Sequence, residues 1–73
     1  MTKLEYIIKQ QGRQKGWLAE RAHISKPTIT GLVKGTSKPS IEVALKISII
    51  LGVTVEELWG GLIDDWKAKE GYM

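Results

Sequence analysis

The sequence predicts an all-α fold of five helices. Apolar residues recur at intervals of three and four positions, which is the spacing of one face of an α-helix. Serine and threonine, which cap helix starts, precede most of these segments, and glycine, which ends helices, follows most of them. No segment has the pattern of a credible strand. These observations favour the all-α class over any mixed architecture.

The first helix begins after Thr2, which has the capping-box spacing to Glu5, and ends before Gly12. The second helix extends from about residue 14 to residue 22. The residues expected to face inward from these two helices are Leu4, Ile7, Ile8, Leu18, Ala19 and Ala22.

A tight corner at residues 23–25 leads into the third helix. We expect Ile24 to fill the core between the two helices, with Ser25 as the N-cap of the third. Pro27 lies in the first turn, where its missing N–H costs nothing. The inward residues and the end of this helix are Ile29, Leu32 and Gly35.

The fourth helix, Ile41–Leu51, follows a loop that ends at the cap residue Ser40. Its residues are apolar on nearly every side, so we expect the central buried helix of the domain. Gly52 ends it.

The fifth helix has strong start signals. Thr54 and Glu57 form a second capping box, and Val53 is spaced to pack against Leu58 as a hydrophobic staple. We expect a helix from residue 55 to about residue 59, broken by the glycines at 60 and 61. The prediction is thus a domain over residues 1–60 and a C-terminal tail over residues 61–73, with room for one or two further helical turns.

Length and composition indicate one small domain. The 73 residues allow a single core, and the lack of cysteine excludes disulfides and Cys-based metal sites. No apolar run approaches the roughly 18 residues of a membrane span. The N-terminus lacks the features of a signal peptide. We therefore expect a soluble protein of the cytoplasm.

The charge is unevenly distributed. Residues 1–40 contain eight basic and two acidic side chains, a net charge of +6, whereas residues 41–73 have a net charge of −3. A basic half of this kind is typical of a protein that meets a polyanion. The alternative is a basic face that is merely solvated.

Residues 17–40 have the layout of a helix-turn-helix, two short helices joined by a tight corner and followed by a basic loop. In this motif the second helix enters the DNA major groove. The chain resembles the helix-turn-helix domain of phage Cro and repressor proteins, the xenobiotic-response-element-like regulators, over roughly residues 2–59. The matching residues are Leu18-Ala19, Ala22, Ile24-Ser25, Thr28-Ile29, Leu32, Gly35, Pro39-Ser40, Leu45, Ile47, Leu51-Gly52-Val53-Thr54 and Glu57-Leu58.

The resemblance implies a five-helix lambda-repressor-like domain that binds operator DNA as a dimer, with a recognition helix over about residues 26–34. The residues placed for contact with bases are Lys26, Pro27, Thr28, Thr30 and Gly31. Those placed for contact with phosphates are Arg13, Lys15, Lys34, Thr36, Ser37 and Lys38. The chemistry agrees, since helix N-termini and lysine side chains both attract phosphate.

Four positions depart from the family pattern. His23 stands where the family usually has a glycine with positive φ, and Lys15 stands where it usually has glutamine. Pro27 and Gly31 occupy positions of long base-contacting side chains and have no side-chain donor. Specificity would then depend on Lys26, the two threonines and DNA shape. Gly31 either lets the backbone approach DNA closely or is simply tolerated.

An apolar excess near the C-terminus predicts a contact surface. Val43, Ile49 and Ile50 lie where the family often has polar residues. On the fifth helix and in the tail, the residues expected to form a two-fold dimer or partner contact are Trp59, Leu62, Ile63 and Trp66. The alternatives are a monomer whose tail folds back on its own core, and an antitoxin-like or adaptor protein whose acidic tail binds another protein.

The sequence thus predicts a sequence-specific, double-stranded DNA-binding transcriptional regulator, most simply a dimeric repressor of bacterial, phage or mobile-element origin. No cofactor or metal is expected. His23 is the only histidine, and it is better explained as a corner residue than as a ligand. No constellation of residues supports an enzyme.

Overall fold

In the computed structural model the chain folds into five α-helices, as the sequence predicts. The structure describes residues 1–70, and side chains as far as Leu62. The helices are α1 (Lys3–Gln10), α2 (Lys15–Ala22), α3 (Lys26–Lys34), α4 (Ile41–Leu51) and α5 (Val55–Glu70). The described residues contain no strand, and none of their helices has both the length and the apolar character needed to cross a membrane.

The predicted caps begin the helices. The hydroxyl of Thr2 accepts the N–H of Glu5 at 3.0 Å, and Ser25 and Ser40 cap α3 and α4 in the same way. The capping box at Thr54 is reciprocal, because the Glu57 carboxylate accepts from the backbone N–H of Thr54 at 3.4 Å. The predicted box at Glu5 is only half formed, since that carboxylate lies 3.8 Å from the ammonium group of Lys9 instead.

The core lies where the five helices converge, with Leu58 as the buried contribution of α5. Leu4, Leu18, Ile29 and Ile47 are its largest fully buried side chains. Ile24, at the corner between α2 and α3, is half-buried and packs against this cluster, as predicted. The inward stripes of the first three helices are therefore the ones that their sequence spacing predicts, except that Val33 of α3 is buried as well.

The prediction that α4 is the central buried helix is wrong for one of its faces. Its buried face consists of Ala44, Ile47, Ser48 and Leu51, and the opposite face exposes Ile41, Leu45 and Ile49. The reason is geometric, because the helices that pack closely on α4 are α2 and α5, and they cover one side of it.

The predicted break of α5 at the two glycines is also displaced. The residue with non-helical backbone angles is Trp59, with φ −138° and ψ 47°, and the helix continues through Gly60 and Gly61 to Glu70. Trp59 is half-buried and packs against the core. The kink thus lies at a core-packed aromatic residue. Glycine lowers helix propensity by about 1 kcal/mol relative to alanine but does not forbid the helical conformation.

Candidate nucleic-acid interface

The corner between α2 and α3 fixes the orientation of the exposed side of α3. His23 adopts the left-handed conformation, with φ 57° and ψ 44°, and the N–H of Ile24 donates to the carbonyl of Ala19 at 3.0 Å. Left-handed geometry is uncommon outside glycine, although histidine is enriched there among the other residues. His23 therefore forms the turn at a position where the resemblance leads us to expect glycine.

The outward side of α3 contains the predicted base-contacting residues. Lys26, Pro27 and Thr28 are exposed in the first turn, whereas Thr30 and Gly31 are half-buried. The opposite side of the helix is buried through Ile29, Leu32 and Val33. The helix therefore presents its N-terminal turn to solvent as one surface.

The hydroxyl of Thr28 already has a partner within the helix cap. Its Oγ1 lies 2.8 Å from Oγ of Ser25, which also accepts the backbone N–H of Thr28 at 3.3 Å. A hydroxyl has one donor and two acceptor positions. Thr28 can therefore make a further hydrogen bond or offer its methyl group while the cap remains intact.

The side chain of Lys26 lies back over the start of α2. A methyl group built at Gly16 would be 3.7 Å from Cε and 4.0 Å from Nζ of Lys26. Because Lys15 is adjacent in sequence, the structure brings the Lys26 ammonium group toward the predicted phosphate-contacting segment. Contact between Lys26 and a base requires this side chain to swing outward. The glycine at position 16 is the one sequence feature that could have indicated this arrangement.

Gly31 is occupied on its Cβ side by its own chain. A methyl group built there would lie 2.6 Å from Oγ and 3.2 Å from Cβ of Ser37. The Gly31 carbonyl also accepts the N–H groups of Gly35, Thr36 and Ser37 at 3.0, 3.0 and 3.2 Å. Gly31 thus lets the predicted phosphate-contacting loop fold directly onto α3, a role that neither sequence-based explanation included.

The guanidinium groups of two arginines lie close to the ring of Trp17, which is half-buried at the start of α2. The guanidinium carbon of Arg13 lies 4.3 Å from the centre of the indole, and that of Arg21 lies 5.4 Å away. Such cation–π contacts contribute about 0.5–1 kcal/mol at exposed sites. These contacts therefore limit the freedom of Arg13, a predicted phosphate contact. The four-residue spacing 13, 17, 21 was the available sequence signal.

Comparison with known protein families identifies the family to which this chain belongs. The sequence model of the helix-turn-helix family matches residues 4–58, which is most of the chain. The chain belongs to the helix-turn-helix family. It is a Cro/repressor-type member, and members of this type are DNA-binding transcription regulators. A search of curated proteins found no match.

The match to the helix-turn-helix family includes all of α1 to α4 except Lys3, and the first turn of α5. It therefore contains every residue predicted to contact DNA and leaves out the predicted dimer residues. Of those, Trp59 and Leu62 are half-buried, and Trp59 packs against the core of its own chain. The side chains of Ile63 and Trp66 lie outside the described part of this helix-turn-helix protein.

Proposed function

We propose that the protein is a sequence-specific, double-stranded DNA-binding repressor that acts as a homodimer, with α3 in the major groove. The observation that supports this most directly is the exposed N-terminal turn of α3, next to cations on the neighbouring segments. In a helix-turn-helix the N-terminal residues of the second helix are those that contact base edges.

Two groups of cations flank α3 and would set its register on the duplex. Arg13, just before α2, and Lys15, its first residue, are exposed, and Lys34 and Lys38 are exposed at and beyond the end of α3. Phosphate contacts position a protein on DNA without giving sequence information. Thr36 and Ser37, in the loop beside the second group of cations, would contact phosphates through their hydroxyls.

The base contacts in this proposal are few. Lys26 can donate to guanine, and Thr28 and Thr30 can hydrogen-bond a base or contact a thymine methyl group. Pro27 and Gly31 offer no side-chain donor. We therefore propose that sequence-dependent DNA shape supplies part of the specificity.

The dimer, the repressor role and the setting are parts of the same proposal. A two-fold dimer would place its two recognition helices about 34 Å apart on a palindromic operator. The sequence-based candidate for the contact between copies is the surface of Trp59, Leu62, Ile63 and Trp66. We propose that the protein acts in the bacterial cytoplasm, encoded by a chromosome, a phage or another mobile element.

The proposal is tested by comparing Lys26→Ala with Lys15→Ala on an operator selected from random DNA and on unrelated DNA. We expect Lys26→Ala to weaken operator binding about 10-fold or more and to relax preference at one base position, as loss of a base contact does. Lys15→Ala should weaken binding to both DNAs equally. Fluorescence anisotropy at fixed salt measures both affinities.

Two outcomes would contradict this assignment. Equal losses on both DNAs for Lys26→Ala would make Lys26 a phosphate contact, as its position over Gly16 already allows. Failure to select any preferred sequence would remove sequence specificity from the proposal. Lys3→Ala, on α1 and outside both cation groups, is the matched control and should leave the affinity unchanged.

A further inference from the structure

The exposed side of α4 has an apolar ridge that the proposed DNA interface does not use. Ile41, Leu45 and Ile49 are 50, 50 and 77% exposed. They follow one another at intervals of four residues and so lie along one face of the helix. Three large aliphatic side chains in a row are typical of a surface that another protein covers.

The charges beside this ridge are arranged by sign. At its C-terminal end, a shallow depression of about 240 Å³ is lined by Arg21, Ala22, His23, Lys46, Ile49 and Ile50. Toward its N-terminal end stands Glu42, whose side chain is 81% exposed and whose carboxylate lies 3.7 Å from the ammonium group of Lys46. Such an exposed pair within one helix contributes little to stability. Glu42 is therefore available to a second cation.

We propose that this α4 face, formed by Ile41, Glu42, Leu45, Lys46 and Ile49, binds the same face of a second copy of the chain. The two α4 helices would run antiparallel, related by a two-fold axis through Leu45. This inference deepens the homodimer proposed above and assigns its contact to a surface other than α5.

The two-fold arrangement pairs the residues of the ridge. Residues 41 and 49 are equally distant from residue 45 along a helix that rises about 1.5 Å per residue. Ile41 of one copy therefore meets Ile49 of the other and covers the apolar floor of the depression. Glu42 then stands at the level of residue 48 of the other copy, beside its Arg21 and Lys46.

A second copy fits this face better than an unrelated partner. A two-fold interface requires one surface to be complementary to itself. The α4 face meets that requirement, because its acidic and basic ends exchange places on rotation and its centre is apolar. A partner of one charge sign would match only one end. Because a helix face of this size provides less than the about 800 Å² per partner of a standard interface, we expect a weak dimer.

An exchange of charges tests the contact between copies. In a dimer of two Glu42→Arg chains, the introduced guanidinium group lies opposite Arg21 of the other copy. In a dimer of two Arg21→Glu chains, the introduced carboxylate lies opposite Glu42 of the other copy. We expect each variant alone to associate at least 10-fold more weakly than the unchanged protein. In a mixed dimer both symmetric contacts pair opposite charges, because one keeps the original Glu42 and Arg21 and the other joins the two introduced side chains with the signs reversed. The mixture should therefore associate more strongly than either variant alone. Sedimentation equilibrium measures all four samples.

Two further variants separate this interface from the alternative on α5. Ile49→Lys should weaken association at least 10-fold, whereas Leu62→Ser, on α5, should leave it unchanged. Circular dichroism verifies that each variant is folded, which the exposure of Arg21, Glu42 and Ile49 favours. The measurements are made without DNA, so their outcome is independent of the DNA-binding test above.

The inference would be overturned by any of three results. The unchanged protein could remain monomeric at the highest soluble concentration. The mixed charge variants could associate no better than either variant alone while the unchanged protein dimerises. Leu62→Ser could abolish the dimer while Ile49→Lys preserves it, which would place the contact on α5.

Discussion

Gly31 is the residue on which the loop after α3 folds back. Three backbone N–H groups converge on its carbonyl, and Ser37 occupies the space of a side chain. The sequence suggested only two explanations for this glycine, namely that the backbone approaches DNA closely or that glycine is simply tolerated in the helix. Helical spacing contains no information on how a loop several residues further along packs against the helix. His23 was predictable, in contrast, because the corner geometry is local and histidine adopts it with some preference.

We predict that Gly31→Ala and Ser37→Gly are coupled in their effect on stability. In the unchanged loop, the new methyl group of Gly31→Ala would lie 2.6 Å from Oγ of Ser37. The cost of this steric clash offsets the stability that alanine adds through its higher helix propensity. In Ser37→Gly both close contacts are absent, so Gly31→Ala should recover up to about 1 kcal/mol. A double-mutant cycle from urea denaturation should give a coupling of about 1 kcal/mol.

The matched control for this cycle is Gly61→Ala. A methyl group built at Gly61 has no neighbour within 4 Å, so its effect should not depend on Ser37. Additive effects of Gly31→Ala and Ser37→Gly, within about 0.3 kcal/mol, would show that the loop moves aside without cost.

At the level of elements, the starts of the helices were more predictable than their surroundings. Caps at Thr2, Ser25, Ser40 and Thr54 are local hydrogen-bonding patterns, and each of these side chains accepts the expected backbone N–H, although the box at Thr2 lacks its return bond from Glu5. The burial of α4 was not predictable from its apolar composition, because composition does not say which faces the other helices cover. The kink of α5 depends on how Trp59 packs against the core, which is again tertiary information.

Thr2 connects two elements, and its removal should therefore cost more than removal of an ordinary cap. Its Oγ1 accepts from the N–H of Glu5 and donates to the carbonyl of Val33 at 2.6 Å, in the last turn of α3. That carbonyl is one of the terminal groups that a helix leaves without an internal partner. We expect Thr2→Ala to lower the free energy of unfolding by about 2 kcal/mol, since a cap and a further hydrogen bond are lost.

Thr54→Ala is the matched comparison, because Thr54 caps α5 and the hydrogen bonds of its hydroxyl, within the described residues, are made with Glu57 of the same helix. It should lower the free energy of unfolding by about 1 kcal/mol, the usual cost of a lost cap. Thr2→Ser keeps the hydroxyl and should stay close to the unchanged protein. Equal losses for the two alanine variants, measured by urea denaturation, would mean that the bond to Val33 adds no net stability.

At the scale of the whole molecule, the uneven charge becomes a spatial arrangement. The exposed cations precede and follow α3 along a chain half whose net charge is +6, and the structure brings the start of α2 close to Lys26 and the loop after α3 close to Gly31. The family could be predicted from the matching residues, and the outward side of α3 from the spacing of its buried residues. The apolar ridge of α4 could be predicted only at Ile49, which the sequence assigns to a contact surface, because Ile41 and Leu45 were expected to belong to a buried helix.

This arrangement predicts how steeply DNA affinity falls with salt. If Arg13, Lys15, Lys34 and Lys38 each neutralise a phosphate, the slope of log K against log salt is about −4 per copy, since each contact releases about 0.9 counterion. Lys15→Gln should make the slope shallower by about 1 per copy, whereas Lys3→Gln should leave it unchanged. Anisotropy titrations from about 50 to 200 mM salt cover the range in which this term dominates. Because the charge removed is the same in both variants, equal changes in slope would show that the protein binds DNA through its overall charge. A change of slope confined to Lys15→Gln would indicate that a phosphate binds at the start of α2. The N-terminal turn of α3, which lies next to that segment, would then face the adjoining groove.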